Sequence, residues 1–140
     1  RVATAAIDSA REYLDQVLLP ALNAEELTLF IAVNGVFSHP EGCEVMSVQH
    51  RAIRAMAGDL GKVADAARTA DDPKAYERYL LPLLYGLYAL IRTHLESEDE
   101  AYLPLLDEQL SESQIQVIVT NIGRVSASSM PGAQPGRAAH

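Results

Sequence analysis

The chain has 140 residues, of which 49% are hydrophobic and 21% are charged, a composition typical of one folded domain with a packed core. Nineteen acidic residues against eleven Lys and Arg give a net charge of -8 at pH 7, so the chain lacks the basic surface of proteins that bind nucleic acids or anionic membranes. No uninterrupted apolar run reaches the roughly 20 residues of a membrane-spanning helix. The single cysteine, Cys43, suits a reducing compartment. We therefore expect a cytoplasmic protein with neither a nucleic-acid nor a membrane partner.

The sequence predicts an all-α fold. No segment alternates apolar and polar residues as a half-buried strand does, aromatic residues make up 6%, and tryptophan is absent. Ser, Gly, Pro and Ala dominate after Ser126 without a helical period. We therefore assign residues 1–125 to a helical bundle and residues 126–140 to a flexible C-terminal tail.

A first helix is predicted from about Ala3 to Val33 by apolar residues spaced three, four and seven apart. Pro20 lies inside this segment and predicts a bend near Leu19, because proline costs an interior helix roughly 3 kcal/mol. Asn34-Gly35 is predicted to end the helix. The predicted buried face consists of Ile7, Leu14, Val17, Ala21, Thr28 and Ala32.

Three further helices are marked by their start signals. The second begins near Glu44, the third follows Asp72 as N-cap with Pro73 at the first helical position, and the fourth begins at Ser111 with a capping box. Pro104 predicts a bend or an end in the third helix. The predicted buried stripes are Met46, His50, Ile53, Ala57, Leu60, Ala64 and Ala67; Leu80, Leu83, Leu87, Leu90, His94 and Glu98; and Ile115, Ile118, Ile122 and Val125.

Polar residues stand on three of these buried faces. They are Glu25 on the first helix, His50 on the second, and His94 with Glu98, one turn apart, on the third. Imidazole and carboxylate groups that converge inside a bundle are the ligands that iron, manganese or zinc require. Taken one at a time, each residue also fits a plainer interpretation, since His50 could be a hydrogen-bonded core histidine and Glu25 a solvated glutamate.

Other polar residues near these positions are weaker candidates. His39 and Cys43 precede the second helix and would add metal ligands only if their loop folds over the end of the bundle; otherwise they are an exposed histidine and an incidental cysteine. Glu96 and Asp99 lie off the line that joins His94 to Glu98, so we expect them to face water.

Three segments match a known family in order and spacing. They read LLPALNAEE at residues 18–26, MSVQHRAI at 46–53, and HLESE followed by YLPLL at 94–98 and 102–106. This pattern resembles the hemerythrin-like HHE cation-binding domains, from about Leu14 to Leu106. The resemblance implies an antiparallel, up-and-down four-helix bundle. It also implies a non-heme iron or di-iron centre, with Glu25, His50, His94 and Glu98 on metal-ligand positions.

The sequence departs from the family pattern at three places. Ala21 stands where the family has a ligating histidine, and Gln49 stands where glutamate commonly precedes the histidine of the second segment. The family also takes a histidine from a helix that precedes the first one here. The sequence shows no such helix, and three explanations stay open: it was cut away, it is disordered, or it never existed. We therefore expect an incomplete site, whose four ligands can hold one metal with open positions; whether one metal or two bind stays open.

Two functions from different classes follow. The first is a non-heme iron protein that senses, binds or detoxifies dioxygen, nitric oxide or peroxide, as a monomer or a homodimer; whether it is an enzyme stays open. The second is a degenerate, metal-free bundle that serves as an interaction or regulatory module, with Glu25 and His50 hydrogen-bonded to each other. A helical hydrolase ranks last, because no serine or cysteine nucleophile is placed beside the histidines.

Overall fold

The computed structural model describes residues 2–37 and 40–128 and arranges them as four helical rods. The first rod consists of α1 (Val2–Tyr13), a π-helical turn (Leu14–Leu18), α2 (Leu19–Leu27) and α3 (Leu29–Phe37). The second consists of a 3-10 turn (Pro40–Cys43) and α4 (Glu44–Thr69). The third consists of a 3-10 turn (Pro73–Tyr76), α5 (Glu77–Ser97), a π-helical turn (Glu98–Tyr102) and α6 (Leu103–Gln109), and the fourth is α7 (Glu112–Ser128). The described residues contain no strand, so the all-α prediction is confirmed.

Neighbouring rods run antiparallel. Arg11 pairs with Asp65 at 2.7 Å, and Asp8 pairs with Arg68. Residue numbers therefore rise along α1 as they fall along α4, and the third rod returns beside α4 after a short turn. The fourth rod, α7, packs against α2, α3 and α6. The result is the predicted up-and-down four-helix bundle.

Two of the predicted helix starts have the expected caps. The Asp72 carboxylate accepts a hydrogen bond from the Lys74 backbone N–H at 3.1 Å, ahead of Pro73. At the start of α7, the Ser111 N–H donates to the Gln114 side chain at 2.9 Å, and the Gln114 N–H donates to the Ser111 hydroxyl at 3.4 Å. This reciprocal pair is the capping box that the sequence predicted.

Two prolines, Pro20 and Pro104, each follow a π-helical turn. In both turns the residue before the proline donates its N–H to the carbonyl five residues earlier. A proline ring clashes with the carbonyl four residues before it, and the wider turn moves that carbonyl away. The bend predicted near Leu19 is therefore a π turn over Leu14–Leu18, with α2 beginning at Leu19.

The predicted buried face of the first helix is partly wrong. Val17 is 48% exposed, whereas Leu18 is buried, and Ala21, Thr28 and Ala32 are only half-buried. The π turn adds one residue to a helical turn, so the buried face shifts by one position after Leu14. The face that packs into the core is Ile7, Leu14, Leu18, Leu22, Leu29 and Val33.

Two boundaries of the first helix also differ from expectation. The helix does not end at Asn34-Gly35 but continues to Phe37, because Val33 and Val36 pack into or against a core cluster. An unpredicted break lies at Thr28, whose φ of −132° leaves the helical region. The Thr28 hydroxyl donates to the Ala24 carbonyl at 2.6 Å, a contact that bends helices.

The end of the chain is described only as far as Ser128, where α7 ends. The helix thus extends three residues past the predicted end of the bundle at residue 125. Most of the predicted tail, residues 129–140, lies outside the described residues, as does His39. The boundary between bundle and tail stays a prediction.

Among the residues that the structure describes, one helical stretch, Thr4–Val36, is long and apolar enough by length and composition alone to cross a membrane. It contains no uninterrupted apolar run of that length, because polar residues such as Glu25 interrupt it. Its most apolar window is 39% buried inside the bundle. A helix that packs in the core of a bundle meets the same criteria of length and composition.

The core is divided into two apolar clusters. The first joins the halves of the rods nearest the start of α1 and is formed by Ile7, Leu14, Leu18, Leu22, Ile53, Leu60, Ala64, Leu80 and Leu87. The second lies towards the other end and is formed by Leu29, Phe30, Val33, Cys43, Met46 and Leu106. On each of the first three rods, a stretch bearing polar side chains separates the two clusters.

Candidate metal centre

The layer between the two apolar clusters contains all four predicted ligand residues. Glu25 comes from α2, His50 from α4, His94 from α5, and Glu98 from the first position of the second π turn. One potential ligand atom from each residue lies within 4.8 Å of those of the other three. The predicted convergence of these residues is therefore confirmed, while metal binding itself stays a prediction.

The nitrogen and oxygen atoms of this layer are closely spaced. Oε2 of Glu25 lies 3.1 Å from Nε2 of His50 and 3.5 Å from Nε2 of His94. Oε1 of Glu98 lies 3.4 Å from Nε2 of His94. The two imidazole rings meet edge to face, with centroids 4.7 Å apart. Both imidazole Nε2 atoms thus point towards the carboxylates rather than to opposite faces of the bundle.

These atoms are buried without hydrogen-bond partners. Both histidine side chains are 0% exposed, and Glu25 and Glu98 are 16% and 12% exposed. Oε2 of Glu25, Nε2 of both histidines and Oε1 of Glu98 have no hydrogen bond of acceptable alignment. A buried polar atom without a partner costs roughly 1–3 kcal/mol. Four such atoms around one point form a site that an ion contacting all four would satisfy.

A second set of side chains holds the two imidazoles in place. Oε1 of Glu26 lies 2.9 Å from Nδ1 of His50 and accepts a hydrogen bond from Arg54 at 2.6 Å. Acceptance of the Nδ1 proton by a carboxylate allows Nε2 of His50, which faces the centre, to offer its lone pair to a bound cation.

His94 is held by an amide instead. Oε1 of Gln49 lies 3.0 Å from Nδ1 of His94, and Nε2 of Gln49 lies 3.5 Å from the Ser97 hydroxyl. An amide oxygen that accepts the Nδ1 proton likewise leaves Nε2 of His94 available to a bound cation. From the sequence, Gln49 is only a departure from the family pattern; in the structure its side chain contacts His94 and holds the imidazole in place.

Sequence reasoning missed this outer set. Glu26 directly follows Glu25, and Arg54 lies one turn after His50, so both were visible as polar neighbours of candidate ligands. Their pairing joins α2 to α4 across 28 residues of sequence. No helical period within one segment can predict such a contact.

The two carboxyl groups of the centre have opposite pKa shifts. Burial raises the pKa of Glu25, but its polar contacts with His50, His94 and Glu98 outweigh burial and lower the pKa to about 2. For Glu98, burial and the negative charge of Glu25 act together and raise the pKa to about 8. Glu25 is therefore ionised near neutral pH, whereas Glu98 is largely protonated when no cation is bound.

Cys43 is not part of the centre. It is buried in the second apolar cluster, and its thiol donates a weak hydrogen bond to the Phe30 carbonyl at 3.7 Å. Burial raises the pKa of the Cys43 thiol to about 11. Such a thiol is neutral at physiological pH, so the suggestion that Cys43 adds a ligand is not supported by its position.

The acidic residues beside the centre face water, as predicted. Glu96 pairs with Arg92 one turn earlier at 2.8 Å, and its side chain is 54% exposed. Asp99 is also exposed. Glu98 is the member of this acidic run that turns into the bundle.

A comparison with protein-family models matches residues 2–106 to the hemerythrin HHE cation-binding domain. The match covers three quarters of the chain and includes all four residues of the centre. The chain belongs to the hemerythrin HHE cation-binding family. No curated protein and no solved structure matched it.

The fourth rod of the bundle, α7, lies after the segment that matches the HHE family, which ends at residue 106. Helix α7 nevertheless packs against α2 and α6. The α7 residues that line a cavity together with Glu25 and Glu98 are aliphatic and offer no ligand atom: Ile115, Ile118, Val119 and Ile122. Glu25, His50, His94 and Glu98 therefore form a compact set of possible ligands from the first three rods.

Proposed function

We propose that the protein is a non-heme iron protein of the HHE family that interacts with dioxygen, nitric oxide or peroxide. The observation that carries the proposal is the convergence of four buried, unpartnered ligand atoms from Glu25, His50, His94 and Glu98. Two imidazoles with carboxylates are a donor set that suits iron and, by geometry alone, also manganese or zinc. The family match favours a cation over any organic cofactor.

The charges of the site suit a divalent cation. Ionised Glu25 and Glu98 would carry two negative charges into a layer where burial penalises unpaired charge. A divalent cation between them neutralises both and gives each of the four unpartnered atoms a partner. Without a cation, protonation of Glu98 removes its repulsion with Glu25 but leaves the negative charge of Glu25 buried.

The chain itself prepares the site before any ion arrives. Glu26 and Gln49 hold the Nδ1 atoms of His50 and His94, so both Nε2 atoms face inward and can ligate an ion that binds there. Phe30 packs on His50 with ring centroids 5.0 Å apart and limits rotation of the imidazole. This arrangement binds and orients the ion and excludes water from the histidine side of the centre.

Iron held with open coordination positions supplies a place where dioxygen, nitric oxide or peroxide can bind. Four protein ligands leave such positions at one iron but are few for two. Ala21, the position where the resembled family has histidine, offers no ligand atom. We therefore propose one iron per chain rather than a di-iron centre.

We also propose that the protein works in the cytoplasm. This is supported by a single cysteine that is buried and takes no part in a disulfide.

The proposal is tested by loading the protein with ferrous iron without oxygen and adding nitric oxide. We expect a new electron paramagnetic resonance signal whose intensity follows bound iron and is lost in Glu98→Gln. Asp99→Asn, which changes the next and exposed carboxylate, serves as the control and should keep the signal. Failure of the folded wild-type chain to retain iron would reject the proposal and favour the metal-free module.

A further inference from the structure

A cavity of about 580 Å³ opens beside the candidate metal centre. It lies between α7 on one side and the first and third rods on the other. Glu25 and Glu98 form part of its wall together with Leu29, Leu103, Ile115 and Ile118. The carboxylate side of the centre is therefore reached from this cavity, whereas the imidazoles are fully buried.

The cavity is much larger than a diatomic ligand requires. A water molecule occupies about 30 Å³ of liquid volume, and dioxygen and nitric oxide are of similar size. Pockets of roughly 300–1,000 Å³ are typical of sites that take organic molecules. The volume beside the centre falls within that range, so size favours an organic occupant.

The chemistry of the wall narrows the class of molecule. Most of the lining is aliphatic, from leucines and isoleucines of α6 and α7, and a polar end is provided by Glu25 and Glu98. The charged lining residues are all acidic, since Asp99 and Asp107 join these two glutamates. An organic anion would meet only like charge and lose its hydration.

We propose that this cavity binds a neutral, largely apolar organic molecule next to the metal centre. The aliphatic wall holds its hydrocarbon body, and a polar group at one end faces Glu25 and Glu98. The inference deepens the proposed function, because it assigns the class of molecule that reaches the same centre, and its role there rests on that function.

The test uses two fluorescent dyes that differ mainly by one charged group. N-phenyl-1-naphthylamine is neutral, and 1-anilinonaphthalene-8-sulfonate carries a sulfonate on a similar ring system. Both are titrated into zinc-loaded and metal-free protein. We expect saturable binding of one neutral dye per chain, displaced by 1-decanol, and binding of the sulfonate weaker by about tenfold or more because of the acidic wall.

Two substitutions on α7 show whether the dye occupies this cavity. Ile118→Trp fills the cavity from its wall and should abolish binding of the neutral dye. Val117→Trp adds the same bulk one residue earlier, at a side chain that is 59% exposed, and should leave binding unchanged. Leu103→Trp blocks the opposite wall and replaces Ile118→Trp if circular dichroism shows that the latter does not fold.

The outcomes separate this inference from the proposed function. No saturable binding of the neutral dye, equal binding of the sulfonate, or full binding by the folded, cavity-filled variants would overturn the inference. If the dye fails to bind while the wild type still binds iron, the inference falls and the proposed function stands. If the dye binds in the expected pattern but no metal binds, the proposed function falls and the binding site stands.

Discussion

Glu25 and Glu98 face the same centre, yet burial and neighbouring groups shift their pKa values in opposite directions. Contacts with two imidazoles keep Glu25 ionised, and the charge of Glu25 favours the protonated form of Glu98. The metal-free site thus holds one carboxylate and one carboxylic acid at neutral pH. Cation binding requires the second carboxylate.

At the scale of single residues, the first prediction compares two adjacent acidic side chains. Glu98→Gln removes a buried ligand atom and should weaken ferrous-iron binding by at least tenfold, a loss that even changes outside the ligand shell can cause. Asp99→Asn alters an exposed group and should change affinity by less than about threefold, since exposed charges contribute roughly 0–1 kcal/mol. Anaerobic titration measures both, and equal losses would mean that Glu98 is not a ligand.

The second prediction concerns protons released on metal binding. Since the pKa of Glu98 is raised to about 8, this group is protonated at pH 7 and must lose its proton when a cation binds. It should contribute close to one released proton at pH 7 and progressively fewer as the pH rises above 8. Calorimetry with zinc in buffers of different ionisation enthalpy measures the release.

The matched control for proton release is Glu98→Gln, which has no proton to lose at this position. At pH 7 the wild type should release about one proton more than this variant. At pH 9.5 the two proteins should release similar numbers of protons. The same release from both proteins at pH 7 would show that Glu98 is already ionised or takes no part.

At the scale of elements, α2 places Glu25 and Ala21 one turn apart in an uninterrupted α-helix. The π turn before it brings Leu18 and Leu22 into the core, and the break after it at Thr28 resets the direction of α3. Glu25, a candidate ligand, therefore lies on a helix with an irregularity at each end. Side chains four residues apart on such a helix stack on the same face.

The third prediction follows from that stacking. Ala21→His should add an imidazole beside Glu25 and raise iron affinity by about tenfold, because the centre has few ligands. Leu27→His on the same helix is the control, since Leu27 is 55% exposed and its replacement should not change affinity. Loss of stability in Ala21→His without any gain in metal binding would show that the space around Ala21 is closed, as the metal-free module requires.

The helices and turns also show which features of the structure the sequence could predict. Helix starts at Asp72 and Ser111, and the inward direction of His50, His94 and Glu98, follow from local signals along single helices. The shift from Val17 to Leu18 does not, because a π turn changes the helical period within five residues. The Glu26, Arg54 and Gln49 contacts cross between rods, and the cavity beside α7 depends on how α7 packs, so neither could be predicted from periodicity.

At the scale of the whole molecule, a polar layer interrupts an otherwise apolar core. Leu22 and Leu29 flank Glu25 along the first rod, and Met46 and Ile53 flank His50 along the second, in two separate clusters. Unpaired polar atoms between these clusters lower the stability of the metal-free bundle. A bound ion should therefore stabilise the bundle at the layer between the two apolar clusters.

The fourth prediction is a metal-dependent gain in global stability. An ion that binds only the folded chain, at 100 times its dissociation constant, should raise the free energy of unfolding by about 2.7 kcal/mol. Urea denaturation with and without zinc measures the gain, and Glu98→Gln at the same zinc concentration should show much less. A wild-type gain of zero would contradict metal binding by the folded bundle.

X-ray absorption at the iron edge of the iron-loaded protein tests the central claim most directly. We expect one iron per chain, a first shell of nitrogen and oxygen atoms with the scattering of two imidazoles, and no second iron nearby. His94→Gln should reduce the imidazole scattering by about half if it retains iron. Iron without imidazole scattering, or a pair of irons at full occupancy, would contradict the account of Glu25, His50, His94 and Glu98 as the ligands of a single ion.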